Sequence, residues 1–310
     1  MAQIPAICGV VVTYHPAEDI FENLQAIVAE CGEVLVVDNG SAKAICDRMA
    51  VVSGVTLLAL EHNAGIAAGL NRAALWSRGR SLFGMIVFDQ DSKPLTGFVS
   101  ELWATHDRNP RAAVIGSRIV EAGREESSYR WVRRNPCWPG IFQRVACDGG
   151  DLSEVTMVIS SGSLIELEPW SRLGGFDEGL FIDYVDTDYC LKVIRSGAHV
   201  AVASGASLQH HLGKRATGRV LGKDLRPMHH AAFRHYYMAR NRMHLWRRHA
   251  LALPHWALFD FCFAGLNGCR VIFFEAEKWA KFKALMLGTW DGLRGKTGAC
   301  PVGRLRSLQP

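Results

Sequence analysis

The chain lacks the sequence patterns of several common functional classes. It has nine cysteines but no Cys-x-x-Cys pair, which argues against a zinc ribbon. No Gly-x-Gly-x-x-Gly or Walker A motif follows its first apolar segment, so neither a dinucleotide-binding enzyme nor a P-loop protein is indicated. The net charge of +5 over 310 residues is mild, and no dense basic stripe with interleaved aromatic residues is present. We therefore expect no nucleic-acid partner.

Targeting and membrane-spanning signals are also scarce. Residues 1–5 carry no basic region and lead directly into an apolar segment, so no secretory signal is predicted. An odd number of cysteines without framework spacing favours a reducing compartment. The longest mostly apolar stretch, residues 251–274, is interrupted by Asp260 and Arg270 and makes a poor spanning segment. These features predict a cytoplasmic protein of bacterial type.

The first hundred residues alternate between short apolar runs and segments with helical spacing. The predicted strands are residues 7–13, 34–37, 55–60 and 85–88, and the predicted helices are residues 20–28 and 65–77. Such alternation indicates an α/β fold with a mainly parallel sheet and helices on both faces. Hydrophobic residues make up 49% of the chain, enough for a full core of this kind.

Polar residues stand at or just after the ends of these predicted strands. They are Thr13, Asp38, Asn63, Asp89 and Asp91. Ligands of parallel sheets bind outside the carboxyl ends of the strands, so we expect these side chains to line a ligand site. Carboxylate oxygens suit Mg²⁺ or Mn²⁺, and such a metal can bridge a protein and a diphosphate.

A second acidic group strengthens the weak signal of one Asp-x-Asp sequence. Asp183, Asp186 and Asp188 lie further along the chain and are followed by His210 and His211. The two groups together would supply a metal, its ligands and a base, as group transfer from a nucleotide diphosphate requires. Two structural alternatives stay open. The histidines suit a half-buried strand end, and Asp186 suits the N-cap of a helix beginning at residue 187.

The second half of the chain is less regular. Residues 112–116, 155–160 and 200–208 are predicted strands, residues 121–152 are predicted to form a loop or lid, and residues 186–195 and 228–249 are predicted helices. The remaining residues mix apolar, aromatic and basic side chains. That mixture suits a helix lying in a membrane interface, although a helical cap on the core or a dimer surface would also account for it. We place the domain boundary near residue 225, with halves 1–117 and 118–225 before it and a helical region 226–310 after it.

Six short motifs in this order resemble the family 2 glycosyltransferases, which have the GT-A fold. They are residues 11–16 (VVTYHP), 36–41 (VVDNGS), 63–71 (NAGIAAGLN), 88–92 (FDQDS), 174–178 (GGFDE) and 181–188 (FIDYVDTD). The form of the fourth motif, and residues 236–241 (YYMARN), resemble the bacterial rhamnosyltransferase branch. The resemblance implies a Rossmann-like, mainly parallel sheet flanked by helices, with a C-terminal helical extension.

The activity that this resemblance implies is an inverting sugar transfer. L-Rhamnose would pass from a dTDP-rhamnose donor to a hydroxyl of a lipid-linked or polysaccharide acceptor, in surface polysaccharide assembly such as that of O-antigen. A UDP-hexose or UDP-N-acetylhexosamine donor is one alternative, and a non-catalytic nucleotide-sugar-binding scaffold is another. A homo-oligomer, and peripheral attachment to the cytoplasmic face of the inner membrane, are further expectations.

The motif positions also imply residue roles. Asp91 and His210 would hold Mg²⁺ or Mn²⁺, with His211 as the alternative to His210. Asp186 would be the general base, because Val185 occupies a position that is acidic in many relatives. The implied nucleotide-binding residues are Thr13, Asp38, Asn63, Gly65, Asn71 and Asp89. Asp188 and Arg215 are candidate contacts for the diphosphate or the acceptor.

Overall fold

The structure is a computed structural model that describes residues 4–120, 129–210, 218–220, 223–225, 231–275, 277–301 and 303–304. The expectations for His211 and Arg215, and for the side chain of His210, lie outside these described residues. The chain divides into two compact units. The first comprises Met1–Arg133, Gln143–Glu178 and Val185–His211, and the second comprises Arg134–Phe142, Gly179–Tyr184 and Leu212–Pro310. The domain boundary that we placed near residue 225 stays a prediction.

An eight-stranded sheet forms the core of the first unit. Its strands in chain order are β1 (Ile7–Thr13), β2 (Val34–Asp38), β3 (Val55–Ala59), β4 (Gly84–Asp89), β5 (Ser92–Pro94), β6 (Ala112–Val120), β9 (Ser163–Glu166) and β10 (His199–His210). The spatial order is β3-β2-β1-β4-β9-β6-β10-β5. Strands β3, β2, β1 and β4 are parallel, as are β6 and β10, whereas β9 runs antiparallel to both β4 and β6. This mainly parallel sheet confirms the predicted fold class.

Helices pack against the sheet because their apolar residues recur on one side. They are α1 (Ile20–Cys31), α2 (Lys43–Ala50), α3 (Ile66–Gly79), α4 (Phe98–Arg108), α5 (Leu167–Arg172) and α6 (Val185–Arg195). Leu24 and Ile27 of α1, for example, join Val36 and Phe88 of the strands in the buried core. The sequence pattern predicted α1, α3 and α6 to within a few residues.

Two expectations for the middle of the chain were wrong. Residues 155–160 were predicted to be a strand, but the strand is β9, and Val155 makes only an isolated bridge to Arg133. The apolar residues of this segment are buried by side-chain packing, and Val158, for example, lies against the backbone of Gly116. Within the supposed loop of residues 121–152, the described part contains a two-stranded sheet of β7 (Trp131–Arg134) and β8 (Phe142–Val145).

The second unit is built from helices. They are α7 (Ala232–His249), α8 (Pro254–Phe274) and α9 (Lys278–Leu293), and a short hairpin of β11 (Gly218–Val220) and β12 (Lys223–Leu225) precedes them. Helix α9 approaches α7 closely through glycine. A Cβ atom built at Gly288 would lie 2.2 Å from the carbonyl oxygen of Tyr236. Among the helices that the structure describes, none combines the length and the hydropathy that crossing a bilayer requires.

A short loop of the second unit, residues 179–184, has an unusual backbone that α7 holds in place. Phe181, Asp183 and Tyr184 have φ angles of 65°, 63° and 65°, which are costly for residues other than glycine. Asn241 donates to the carbonyl oxygens of three loop residues, at 2.8 to 2.9 Å. Arg240 donates to the carbonyl groups of Gly179 and Leu180, the second of which it shares with Asn241, and to that of Gly298. These bonds offset the backbone strain.

Candidate active site

Asp38 fixes the loop that follows β2. The register pairs Thr13 at the end of β1 with Asp38 at the end of β2. The Asp38 carboxylate accepts bonds from the hydroxyls of Thr13 (2.7 Å) and Ser41 (2.6 Å) and from the backbone N–H groups of Gly40 (3.0 Å) and Ser41 (2.7 Å). Burial raises the pKa of Asp38, but the hydrogen bonds outweigh burial and hold the pKa below its ordinary value. Two oxygens that accept four bonds have little remaining capacity.

A second loop, at the start of α3, is tied to the first by Asn39. The Asn39 amide accepts from the N–H of Ala64 at 3.2 Å and donates to the carbonyl of Gly65 at 3.4 Å. Asn63 accepts from the N–H of Gly65 at 2.9 Å, which closes a turn. Gly65 has φ of 90°, a value that favours glycine, and α3 begins at the next residue. The predicted nucleotide-binding residues Asp38, Asn63 and Gly65 are therefore parts of one hydrogen-bonded loop pair.

Asn71 joins α3 to the glycine-rich motif at residues 174–178. Its amide nitrogen donates to the Phe176 carbonyl and to a Glu178 carboxylate oxygen, both at 2.9 Å. Its amide oxygen accepts from the Phe176 N–H at 2.9 Å. The protein itself therefore engages both ends of the Asn71 amide. The expected contact of Asn71 with the nucleotide stays a prediction.

The Asp89-Gln90-Asp91 turn connects β4 to β5, as expected for a motif at a strand end. Ser161 supports the turn from below: its hydroxyl accepts the N–H of Asp89 at 2.9 Å and lies 2.9 Å from the hydroxyl of Ser92. Both serine side chains are buried, whereas Asp89 and Asp91 are half-buried. Buried hydrogen bonds therefore hold the backbone of the turn, while its two carboxylates stay accessible to solvent.

Gln90 fastens the same turn to neighbouring elements. Its side-chain oxygen accepts the N–H of Tyr14 at 3.0 Å, and its carbonyl accepts the amide of Asn23 in α1 at 3.1 Å. The motif at residues 11–16 and the metal motif are thus directly bonded. Bonds to Gln90 and to Ser161 restrict the backbone between the two aspartates.

His210 reaches this region through the sheet. Strands β10 and β5 are antiparallel, and their register places His210 opposite Ser92, the residue after Asp91. Directly opposed residues of an antiparallel pair have Cα atoms about 4.5–5.5 Å apart. Among the side chains that the structure describes, no three of the His, Cys, Asp and Glu type gather into a metal site. Carboxylate and imidazole groups are donor types that suit Mg²⁺ or Mn²⁺.

Asp186 lies in the first turn of α6. The helix begins at Val185, so Asp186 is not the N-cap of a helix that starts at residue 187. One of its carboxylate oxygens accepts the N–H of Thr187 at 2.7 Å. A helix N-terminus favours negative charge, which suits an ionised carboxylate at this position.

Tyr129 interacts electrostatically with both Asp186 and Arg144. Burial of the Tyr129 hydroxyl and, secondarily, the negative charge of Asp186 raise the pKa of Tyr129 to about 12, while Arg144 opposes the shift. The sequence patterns did not indicate either residue, because both belong to the irregular region 121–152. Tyr129 therefore stays protonated and neutral at physiological pH.

The other two aspartates of the acidic motif make ion pairs. Asp188 is completely buried, with Lys192 one helical turn away and its ammonium 3.0 Å from the carboxylate. Asp183, in the loop of the second unit, pairs with Arg234 of α7. The expected contact of Asp188 with the diphosphate or the acceptor stays a prediction.

One short segment connects the two acidic regions of the first unit. At one end, Met157 contacts Thr187 beside Asp186, with 3.8 Å between sulfur and hydroxyl oxygen. At the other end, Ser161 bonds to Asp89. Four residue steps of extended chain span at most about 14 Å, so these anchoring points lie close to each other.

The glycosyl transferase family 2 matches residues 10–172 of the chain. The chain belongs to this family. A curated relative, the dTDP-rhamnosyl transferase RfbF of Shigella flexneri, is 30% identical over 300 residues, covering 94% of this chain and 97% of the relative. Both observations confirm the resemblance drawn from the six motifs, and the chain is a glycosyltransferase that resembles the rhamnosyltransferases.

Solved structures show the same fold. TarS of S. aureus (residues 1–349) in complex with UDP-GlcNAc has a TM-score of 0.58 at 14% identity, over 97% of this chain and 83% of that one. GalNAc-T7 with UDP, GalNAc and Mn²⁺ has a TM-score of 0.55 at 13% identity, over 72% of this chain. The matched region spans 45% of the GalNAc-T7 chain. These neighbours confirm the predicted GT-A architecture.

Proposed function

We propose that this glycosyltransferase moves L-rhamnose from dTDP-rhamnose to a hydroxyl of a lipid-linked or polysaccharide acceptor. The 30% identity to a dTDP-rhamnosyl transferase carries the donor assignment, because it extends over 94% of the chain and so includes the second unit. The setting would be surface polysaccharide assembly such as that of O-antigen, at the cytoplasmic face of the inner membrane. A UDP-hexose or UDP-N-acetylhexosamine donor is the second candidate, favoured by the fold shared with a UDP-GlcNAc complex.

The nucleotide would lie against the paired loops after β2 and β3. Thr13 and Asp38 lie at the strand ends beside the first loop, and Asn63 and Gly65 lie in the second. Their hydrogen bonds hold the backbone before any donor arrives. A binding surface that is fixed in advance loses less entropy when the ligand binds. Because the Asp38 carboxylate already accepts four bonds, a nucleobase N–H that binds it would replace one of the two hydroxyl donors.

The metal would bind at the turn after β4. Asp91 would be a direct ligand, His210 would approach from β10, and Asp89 would contact the metal through water or bind the ribose. A divalent cation held there would neutralise the charge that develops on the departing diphosphate. The bonds of Ser161 and Gln90 to the turn would keep the carboxylates in position.

Asp186 would act as the general base. As the acceptor oxygen bonds to the anomeric carbon, the bond from that carbon to the diphosphate breaks on the opposite face, and the hydroxyl proton passes to the Asp186 carboxylate. Asp186 lies in the first turn of α6, and a helix N-terminus favours the ionised carboxylate that this step requires. Neutral Tyr129 adds no negative charge beside the incoming nucleophile.

A donor screen tests the proposal. dTDP-, UDP- and GDP-sugars are compared by nucleotide release with Mg²⁺, Mn²⁺ or EDTA, and we expect preferred turnover of dTDP-rhamnose that EDTA abolishes. Asp91→Asn and Asp186→Asn should each lower turnover by about 10²–10⁴-fold, the usual contribution of such groups. Asp107→Asn, an exposed change on α4, serves as the control and should leave turnover unchanged.

Each arm of that screen addresses a separate part of the proposal. Preference for a UDP-sugar would reject the donor assignment. Full activity in EDTA would reject the assignment of a catalytic metal. Unchanged turnover of Asp186→Asn would reject the role of Asp186 as general base. A folded protein that turned over no donor at all would support the scaffold alternative.

A further inference from the structure

Helix α9 carries its apolar side chains on the outside. The exposed residues are Trp279 (78%), Phe282 (44%), Met286 (58%), Trp290 (58%) and Leu293 (52%). The buried side of the same helix contains Lys281, Ala284, Gly288, Asp291 and Gly292. A helix on the surface of a soluble protein normally has the reverse arrangement, with apolar residues inside and polar residues outside.

The five exposed apolar residues form one continuous stripe. At about 100° per residue, they fall within an arc of about 80° along the four turns of α9. We call this set the outer stripe. Exposed Lys283 and Arg294 flank it on one side and exposed Lys278 on the other. The acidic residue of the helix, Asp291, is buried and paired with Lys296 and Arg304.

The outer stripe is not needed to hold α9 in the second unit. Gly288 and Gly292 let the helix approach the backbone of α7 closely. Asp291 accepts the Tyr236 hydroxyl at 3.0 Å, and Lys281 forms a buried ion pair with Glu275 at 2.7 Å. The packed side thus makes specific polar and close backbone contacts, which leaves the aromatic side available for a partner.

Helix α8 shows a similar but partial reversal, because it also buries Trp256 and Val271. Leu258, Phe261 and Leu266 are 39%, 63% and 61% exposed, whereas Asp260 and Asn267 are 3% and 5% exposed. Asp260 accepts bonds from Arg242 and from Trp246 of α7, so its charge is compensated inside. Two consecutive helices therefore expose apolar residues and bury polar ones. Contiguous exposed apolar patches on soluble proteins commonly mark a site of interaction.

We propose that the outer stripe of α9 docks on the surface of an anionic phospholipid bilayer. Tryptophan prefers the boundary between headgroups and acyl chains, and the stripe has a tryptophan near each end. The exposed basic residues beside the stripe complement anionic headgroups. The helix lies in the interface plane and does not cross it. The outer stripe would supply the membrane setting of the proposed function, on which this inference rests. The binding itself requires neither donor nor acceptor, so it can fail independently of sugar transfer.

A second copy of the chain fits the outer stripe less well. A two-fold interface brings the same patch of each copy together, so the basic flanks of one stripe would approach those of the other. No exposed acidic residue of α9 is available to compensate that repulsion within the described helix. Anionic lipid supplies the missing negative charge.

Vesicle flotation tests the proposal with the full chain. Vesicles of phosphatidylcholine alone are compared with vesicles in which about a third of the lipid is phosphatidylglycerol. We expect binding to the anionic vesicles that falls as salt is raised. The double variant Trp279→Ser/Trp290→Ser should bind about tenfold more weakly or worse, because it removes two interfacial aromatic rings. Trp138→Ser, at a 68% exposed tryptophan in residues 134–142, is the matched control and should bind as wild type.

A charge variant provides a second, independent measurement. Lys278→Glu/Lys283→Glu should lower binding to anionic vesicles by about tenfold or more, since each basic residue near the surface contributes about fivefold. Lys43→Glu/Arg48→Glu on α2 makes the same change in net charge elsewhere and should have a much smaller effect. All these positions are exposed, so circular dichroism should show folded variants.

Three results would overturn the proposal. In the first, wild type does not float with anionic vesicles. In the second, the stripe variants bind as well as wild type. In the third, sedimentation shows a wild-type dimer that Trp279→Ser/Trp290→Ser converts to a monomer, while vesicle binding is absent. The third result would assign the outer stripe to an interface between two copies. Donor turnover measured on the same variants with a soluble acceptor reports separately on the catalytic proposal.

Discussion

Asn71 and Phe176 are joined by two reciprocal hydrogen bonds, although they lie 105 residues apart in the chain. The amide side chain of Asn71 replaces a backbone partner for both the N–H and the carbonyl of Phe176. The family motifs at residues 63–71 and 174–178 therefore form one structural piece. Its second half leads along the chain toward Asp186.

Asn71→Ala should separate these two motifs. The variant leaves the N–H and the carbonyl of Phe176 without their partner, which should lower the free energy of unfolding by about 1–3 kcal/mol. Donor turnover should fall as well, because the backbone before Asp186 would be less restricted. Urea unfolding and donor turnover measure the two effects. Asn109→Ala, whose amide makes one local bond to Thr105, should lose about 1 kcal/mol or less. Equal effects at the two positions would contradict a special role for the Asn71–Phe176 hydrogen bonds.

Ser161→Ala tests the support beneath the metal motif. The change removes the acceptor for the Asp89 N–H and the partner of the Ser92 hydroxyl. We expect turnover to fall about tenfold to a hundredfold, since small displacements of positioned groups have effects of that size. The apparent affinity for Mn²⁺ should fall in parallel. Ser160→Ala, one residue away, is the control and should retain both. A Ser161→Ala variant with wild-type metal dependence would exclude the proposed support.

Two glycine substitutions probe helix packing in the second unit. Gly288→Ala introduces a methyl group 2.2 Å from the carbonyl oxygen of Tyr236, and backbone cannot move aside cheaply, so stability should fall by about 2 kcal/mol or more. Gly265→Ala in α8 meets nothing within 4 Å and should raise stability by about 0.5–1 kcal/mol through helix propensity. Thermal or urea unfolding compares the two. Opposite signs are expected, and a stabilising Gly288→Ala would contradict the close approach of α9 to α7.

His255 should make stability depend on acid pH. Burial, and secondarily the charge of Arg134, lower the pKa of His255 from 6.5 to about 4. Between these two values the unfolded chain takes up a proton that the folded chain does not, so acidification favours unfolding. The free energy of unfolding should fall by up to about 1.4 kcal/mol per pH unit across this window from this residue.

Burial also lowers the pKa values of His235 and His244, which should add to the acid sensitivity with the same sign. His255→Gln removes one titrating group and should flatten the dependence between pH 6.5 and 4. His62→Gln, at an exposed position, should leave the slope as in wild type. Urea unfolding at a series of pH values measures the slope. An unchanged slope in His255→Gln would show that the imidazole is accessible to protons in the folded state.

The sequence predicted the strand-end residues well, for a physical reason. Strands such as β2 and β4 are continuous apolar runs because both faces of the sheet are covered, and Asp38 and Asp89 end those runs abruptly. Residues 155–160 are equally apolar but were wrongly predicted as a strand. Side-chain packing rather than strand pairing buries them, and a hydrophobic run does not distinguish these two environments.

Other residues of the candidate site could not be predicted from the spacing of residues in the sequence. Ser161, Tyr129 and Arg144 matter through contacts across the fold, and no local pattern marks such contacts. The exposure of the outer stripe of α9 could not be predicted either. Helical periodicity identifies the apolar face of a helix but does not tell whether that face packs on the core or faces solvent. Only the packing of Gly288 and Asp291 against α7 shows that the aromatic side faces solvent.

The loop at residues 179–184 depends on parts of the chain that are made well after it. Arg240 and Asn241 hold its carbonyl groups, and Gly298 both receives a bond from Arg240 and donates to Gly179. During synthesis on the ribosome, the segment that immediately precedes Asp186 lacks part of this support until residue 298 has been made. A chain that stops before residue 240 would lack all of these hydrogen bonds to the loop.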